Sequence, residues 1–369
     1  MIKVLHVLPG LQPNDGISTV FMNYMRTVDH NRFVFDVICH WPYNETYKEE
    51  VESYGGKVSY FPRIDVKNYA DTYRSINQYF ENNKDISVVH CHMANAAFLY
   101  LKAAKKHGIN LRILHSHQDH YADTKLHALR NVPLVALGKK WSNYNLACSK
   151  VAGDFLFKND SYSILKNSID ASCFAFSEEK RDRYRSMFGI SPDQIVYASI
   201  GRLTSQKNQS FVLEIFKRIH EINSKTLLLV VGEGQLEDEL KQKADDLNIS
   251  NSVIWLKNIL DMDVLYQAID ILIFPSLYEG LPLTLIEAQA AGIQCFVSGT
   301  VSSEAIVSSK TKVLPLESGA DYWAKSVMSS QNLNNREEGV CEVKNAGYDI
   351  SNTKHILESI YSRVESEQR

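Results

Sequence analysis

The chain has 369 residues, 44% of them hydrophobic and 22% charged, with a formal net charge of -3. That length supports two domains of ordinary size, each burying its own core. The charge excludes a general nucleic-acid binder, and no run of about 18 apolar residues is present to span a membrane. The N-terminus enters an apolar strand with one lysine, Lys3, and no small-residue cleavage site follows, so the expected location is cytoplasmic. The cysteines Cys39, Cys91, Cys148, Cys173, Cys295 and Cys341 show no Cys-x-x-Cys pairing. They read as small hydrophobes in a reducing compartment, and no zinc site is expected from them.

Residues 2–8 read as a first strand, and 17–27 as a helix after a loop over 9–16. Gly16 at that junction lets a backbone approach a ligand closely; an Asp15-Gly16 helix-capping turn is the other reading. Strands at 33–39, 57–61 and 86–91 alternate with helices at about 45–54, 66–82 and 94–107, a pattern for a parallel, doubly wound sheet. Residues 111–117 form another strand, ending in His115 and His117. Ligands gather at the carboxyl ends of strands in open α/β sheets, and histidines at i and i+2 point the same way. A metal there needs a third ligand, from Asp119, His120 or elsewhere, and none is expected. His90 and His92, flanking Cys91, either line the same cleft or are structural. Segments 144–148 and 162–170 read as the last two strands of the first half.

A charged helix over 177–188 opens the second half. The strand in 195–208 ends at Gly201, followed by Arg202 and, a short loop later, Lys207. Two cations at a strand's carboxyl end suit a diphosphate. Residues 226–234 form a strand ending in Gly232 and Gly234, with Glu237 where a dinucleotide fingerprint wants a third glycine. Helix 235–247 and strand 253–256 lead to Lys257 and Asn258, and helix 262–268 follows. Residues 270–292 carry an apolar strand, a loop with Glu279 and Gly280, and a helix beginning at Pro282. Gly292 suits the position just past the helix end. The free N–H groups of that helix start suit a phosphate, and Glu279 and Glu287 supply acceptors for hydroxyls. Beyond lie a strand over 295–298, a helical stretch opened by Glu304, a polar loop over 329–338 and an amphipathic end over 352–364.

Glu279-x7-Glu287 in this setting, with Gly201-Arg202-Leu203-x3-Lys207-Asn208, resembles the retaining glycosyltransferases of family 4. The resemblance implies an α/β GT-B fold, two Rossmann-like doubly wound parallel-sheet domains facing a cleft. Residues 1–170 correspond to the acceptor-side domain, 171–347 to the nucleotide-sugar domain, and 348–369 to a terminal helix crossing back. It also implies roles. Arg202 and Lys207 hold the diphosphate, Glu279 the donor-sugar hydroxyls, Glu287 the ribose, and His117, with His115 as alternate, the sugar. Gly16, Gly201, Gly232, Gly234, Lys257, Asn258, Gly280, Leu281, Leu283 and Thr284 complete the donor site. Three positions depart from the family pattern: Asp15 replaces a glycine before Gly16, Ser168 replaces a glycine after Asn167, and Lys257 stands where glycine is frequent.

The resemblance implies metal-independent, cofactor-free transfer of a hexose or N-acetylhexosamine, with retention, from a UDP-sugar to a lipid-linked saccharide. The wording around His115-Ser116-His117 and Tyr348-Asp349-Ile350 is most similar to the bacterial capsule and exopolysaccharide subgroup. Lys102, Lys105, Lys106, His107 and Arg112 form either a patch for the inner membrane leaflet or a solvated helix face. A non-hydrolysing nucleotide-sugar epimerase and a non-catalytic sugar-binding partner subunit are the alternatives. A nicotinamide oxidoreductase lacks its glycine fingerprint.

Overall fold

The computed structural model describes residues 1–13, 15–41, 46–118, 121, 125–257, 259, 261–329 and 335–366. They divide into two compact units, residues 1–168 with 350–369, and residues 169–349. The first unit contains strands β1 (Ile2–Gly10), β2 (Phe33–Trp41), β3 (Val58–Tyr60), β4 (Ile86–Cys91), β5 (Leu111–Ser116), β6 (Tyr144–Ala147) and β7 (Ser163–Ile164). They pair in the order β3-β2-β1-β4-β5-β6-β7, every pairing parallel. Val4, Leu5, Val7 and Leu8 of β1 are all fully buried, the consequence of helices covering both faces of a parallel sheet. Strand order reverses between β1 and β4, which makes their carboxyl ends the switch point where such folds bind ligands.

Helix Lys125–Trp141, with Pro133 inside, follows β5 and has no counterpart among the expected elements. The expected strand over 162–170 shrinks to Ser163–Ile164 at the sheet edge, and the helix over 45–54 to Lys48–Ser53. Helix Ile350–Tyr361 belongs to this unit and buries Leu357, Ile360 and Tyr361 in it.

The second unit contains β8 (Ile195–Ile200), β9 (Thr226–Val231), β10 (Val253–Leu256), β11 (Ile271–Phe274), β12 (Gln294–Ser298) and β13 (Thr311–Leu314). Their order is β10-β9-β8-β11-β12-β13, again wholly parallel, with the switch point between β8 and β11. Helix Gln209–Ile222 lays Val212, Leu213, Phe216 and Ile219 against the sheet at helical spacing. β13, with Thr311, Lys312 and an exposed Val313, is an edge strand that apolar patterning did not reveal. The stretch opened by Glu304 is one short 3₁₀ turn, Ser303–Ala305.

Part of the polar loop over 329–338 lies outside the described residues, but Arg336 within it is buried. Its guanidinium donates to the carbonyls of Tyr266, Ile269 and Ala291 at 2.9–3.0 Å. Those carbonyls close helices Met262–Ala268 and Leu283–Ala290, so one side chain satisfies two helix ends. Among the described residues no helix is long and apolar enough to cross a membrane.

Candidate functional site

In the second unit the loops after β8 and β11 meet at the switch point. Gly201 follows β8, and a Cβ there would lie 2.9 Å from Lys207 Cε, so the glycine leaves room for the lysine stem. The stem carries Lys207 Nζ over the Phe274 ring, 4.9 Å from its centroid, and to Glu279 Oε1 at 2.6 Å. Both side chains are largely withdrawn from water, 13% and 9% exposed. The sequence therefore named two members of one buried ion pair. Asn208, in the left-handed conformation at φ 56°, donates to the Pro275 carbonyl at 3.2 Å and ties the two loops together. Leu277 N–H to the Gln206 carbonyl, 2.8 Å, adds a second tie. Arg202, the next residue after Gly201, is exposed, and its carbonyl accepts from Gln209 Nε2 at 3.0 Å.

Helix Leu283–Ala290 starts one residue later than the sequence suggested, because Pro282 takes an extended conformation as its cap residue. Pro282 has no side chain able to cap, so among the described residues the helix start, with the N–H groups of Leu283 and Thr284, has no side-chain cap. This is the positive end expected of an anion site. Gly280 lies in open space, where a Cβ would touch nothing, and Leu281 and Leu283 pack on the core. Glu287 is partly buried and accepts from the Tyr266 hydroxyl at 3.0 Å, a partner the sequence did not indicate. Burial pushes its carboxyl up to about 7, with the tyrosine bond opposing.

Gly232 and Gly234 owe their identity to the protein itself. A Cβ on Gly232, at φ 140°, would fall 2.1 Å from the Gly201 carbonyl oxygen, and one on Gly234 2.3 Å from that of Leu203. They let the loop after β9 press on the loop carrying Arg202. Lys257 follows β10 and pairs with Glu237 Oε1 at 2.7 Å, which Lys241 also holds. Its charge is thus partly spent two strands from the Lys207–Glu279 pair. Asn258 lies outside the described residues.

In the first unit, Asp15 accepts from Ser18 N–H at 2.9 Å and caps helix Gly16–Thr27, so the capping reading of Asp15-Gly16 holds. Gly16 still faces open space. His115 is the penultimate residue of β5 and His117 lies just beyond the strand, ring centroids 4.0 Å apart. They join a network the sequence showed only in fragments. His92 bonds His117 at 2.8 Å and His6 at 3.0 Å; His90 bonds His115 at 3.1 Å and the Tyr361 hydroxyl at 2.7 Å. Burial lowers every one of these imidazoles, His6 to about 3 and His117 to about 4, so the rings are neutral. Asp119 and His120, considered as further ligands, lie outside the described residues.

Residues 180–329 match the family of glycosyl transferases group 1. The chain is 28% identical, over 98% of its length and 96% of the relative's, to EpsF of Bacillus subtilis (strain 168), provisionally named a glycosyltransferase. It is 24% identical to an Escherichia coli UDP-Gal:alpha-D-GlcNAc-diphosphoundecaprenol alpha-1,3-galactosyltransferase, over 83% of this chain and 81% of that one. The capsular polysaccharide biosynthesis glycosyltransferase CapH of Staphylococcus aureus is 25% identical, over 98% and 99% of the two chains. Among solved structures, Anabaena Alr3699/HepE in complex with UDP-glucose superposes with a TM-score of 0.79 at 14% identity, covering 99% of this chain and 100% of that one. Residues 180–329 are thus similar to the glycosyl transferases group 1 family, within a chain whose fold is that of the GT-B glycosyltransferases.

Proposed function

We propose that the chain transfers a hexose or N-acetylhexosamine from a UDP-sugar to a lipid-linked saccharide, retaining the anomeric configuration, in capsule or exopolysaccharide synthesis. The observation that carries this is the Lys207–Glu279 pair at the β8/β11 switch point, beside an uncapped helix start. Breaking the bond from sugar to diphosphate puts growing negative charge on the leaving phosphate. Arg202, Lys207 and the N–H groups of Leu283 and Thr284 stabilise that charge without reorganising at the moment of reaction. No side chain acts as nucleophile. The acceptor hydroxyl attacks from the face the diphosphate leaves, and its proton passes to the departing phosphate oxygen.

Without donor, Lys207 and Glu279 neutralise each other, so neither is left as an uncompensated buried charge. When the donor binds, Lys207 turns to the phosphate and Glu279 accepts from sugar hydroxyls, while Glu287 accepts from the ribose. His117 is assigned to the sugar. The donor class draws support from the UDP-Gal and UDP-glucose in the names of the E. coli and Anabaena proteins. The diphosphoundecaprenol in the E. coli name supports a lipid-linked acceptor. Arg202→Ala and Lys207→Ala test the reading by acceptor-dependent nucleotide release. Each lowers kcat by about 10²–10³, the cost of removing one preorganised charge donor. An unchanged kcat in either variant removes that residue from the leaving-group role.

A further inference from the structure

Tyr266 is completely buried in helix Met262–Ala268, its ring edge-on to Phe174 with centroids 5.7 Å apart. Its hydroxyl reaches two acceptors on helix Leu283–Ala290: Glu287 Oε2 at 3.0 Å and the Thr284 carbonyl at 3.1 Å. A phenol has one proton to donate, so it cannot serve both at once. The charge on Glu287 decides which it serves. A neutral Glu287 carboxyl donates its own O–H to the phenol oxygen, and the phenol donates on to Thr284, so all three groups are satisfied. An ionised Glu287 is the stronger acceptor and takes the phenol proton. The Thr284 carbonyl then keeps the bond from Ala288 N–H that the helix itself supplies.

We propose that Tyr266 is a positioning residue for the nucleotide's ribose: its hydroxyl turns from the Thr284 carbonyl to the Glu287 carboxylate when the ribose binds, and holds that carboxylate in place for the ribose hydroxyls. The inference rests on the assignment of Glu287 to the ribose made above. Among the described residues Glu287 makes no other hydrogen bond or ion pair, so the tyrosine alone fixes its carboxyl group, and Oε1 is left for a ligand's hydroxyl. Burial raises the Glu287 carboxyl to about 7 and the Tyr266 phenol well above its ordinary range. The phenol therefore keeps its proton throughout and only changes acceptor. The Glu287 proton, where present, leaves to solvent as the ribose hydroxyls arrive.

Among the described residues the ionisable groups on the neighbouring elements are engaged elsewhere. Asp263, on the tyrosine's own helix, pairs with Lys180. On helix Glu338–Asn345, Glu342 accepts from Ser308 and Lys344 donates to Ser172. Arg336 is held by backbone carbonyls. Cys173 and Cys295, on the short helix Ala171–Phe174 and on β12, are thiols raised to about 11 and about 12, foremost by burial. The exchange thus lies between Tyr266, Thr284 and Glu287.

The test is calorimetric titration of the full-length chain, without acceptor, with UDP and with 2′,3′-dideoxy-UDP, which lacks both ribose hydroxyls. The ratio of the two affinities cancels any titration of the phosphates. Wild type should prefer UDP at pH 8, and that preference should shrink about tenfold at pH 6, as the carboxyl is protonated through about 7. At pH 8, Tyr266→Phe should weaken UDP about 10–100-fold, the worth of a hydrogen bond to a charged group, and leave dideoxy-UDP within about 2-fold. In a Glu287→Gln background the same change should leave the preference as it was, because the tyrosine acts through the carboxylate. Melting curves check that each variant is folded. Equal weakening of both nucleotides by Tyr266→Phe would make the tyrosine a packing residue and overturn the inference, as would an unchanged UDP affinity. Should that variant fail to fold, a wild-type preference equal at pH 6 and pH 8 overturns it. A wild type that binds both nucleotides equally removes Glu287 from the ribose, and the inference with it, but leaves the transferase standing; one that binds neither contradicts the UDP-sugar reading itself.

Discussion

Glu287→Gln tests the electrostatics of the donor half-site through stability alone. Burial holds the Glu287 carboxyl at about 7 against an ordinary 4.5. A carboxyl raised on folding stabilises the fold while it is neutral. That contribution is complete below about pH 4.5 and is lost as pH rises through about 7. The span corresponds to about 3 kcal/mol, reduced to about 2–3 kcal/mol because Glu287 keeps some exposure. Glutamine preserves the shape and cannot ionise, and the Tyr266 hydroxyl retains the Thr284 carbonyl at 3.1 Å as acceptor. The stability of Glu287→Gln relative to wild type should therefore climb by about 2–3 kcal/mol between pH 4.5 and 8. In scanning calorimetry of the full chain this appears as a relative gain of roughly 5–10 °C for the second unit. Parallel pH profiles for the two proteins would refute the reasoning. Glu287 would then be solvated, and its assignment to the ribose would lose its basis in a desolvated acceptor.

Two further outcomes follow from packing and charge. Gly292→Ala places a Cβ 2.1 Å from the Arg336 carbonyl oxygen at φ 67°, so the second unit should lose about 2–4 kcal/mol in calorimetry. Gly16→Ala, in open space at a helix start, should change stability by less than about 1 kcal/mol; equal losses in the two variants would contradict the geometry. Lys102, Lys105 and Lys106 are exposed on helix Ala97–Lys106, whereas Arg112 is spent on the carbonyls of Ile109, Asn110 and Trp141. A membrane patch on this face, the alternative to a solvated helix face, therefore rests on three lysines, worth about 1 kcal/mol each near an anionic surface. Replacing all three by glutamine should abolish low-salt sedimentation with anionic vesicles, and a wild-type chain that does not sediment at low salt removes the contact.

Much of the fold was legible because each strand and helix announces itself locally. Strands 86–91 and 253–256 and helix 262–268 fall where apolar runs and periodicity put them. Helix Lys125–Trp141 escaped because Pro133 interrupts it, and β13 because an edge strand does not need an apolar face. The donor half-site was legible as motifs, but the Lys207–Glu279 pair depends on β8 and β11 being neighbours, a long-range pairing across 70 residues of chain. The five-histidine network was the least legible feature. His6 lies mid-strand with no motif around it, and only the order β1-β4-β5 brings it against His92. Arg336 hid for the opposite reason: it stands in a polar stretch, yet its partners are backbone carbonyls that no side-chain pattern marks.

The most direct test of the account is mass spectrometry of products from UDP-glucose, UDP-galactose, UDP-N-acetylglucosamine and GDP-mannose, each with and without a lipid-linked saccharide acceptor. One UDP-sugar should yield free UDP and an acceptor heavier by one sugar residue, only when acceptor is present. Conversion of a donor to its isomer without acceptor would contradict it and make the chain an epimerase. Nucleotide binding with no turnover of any donor on any acceptor would contradict it in favour of a sugar-binding partner subunit.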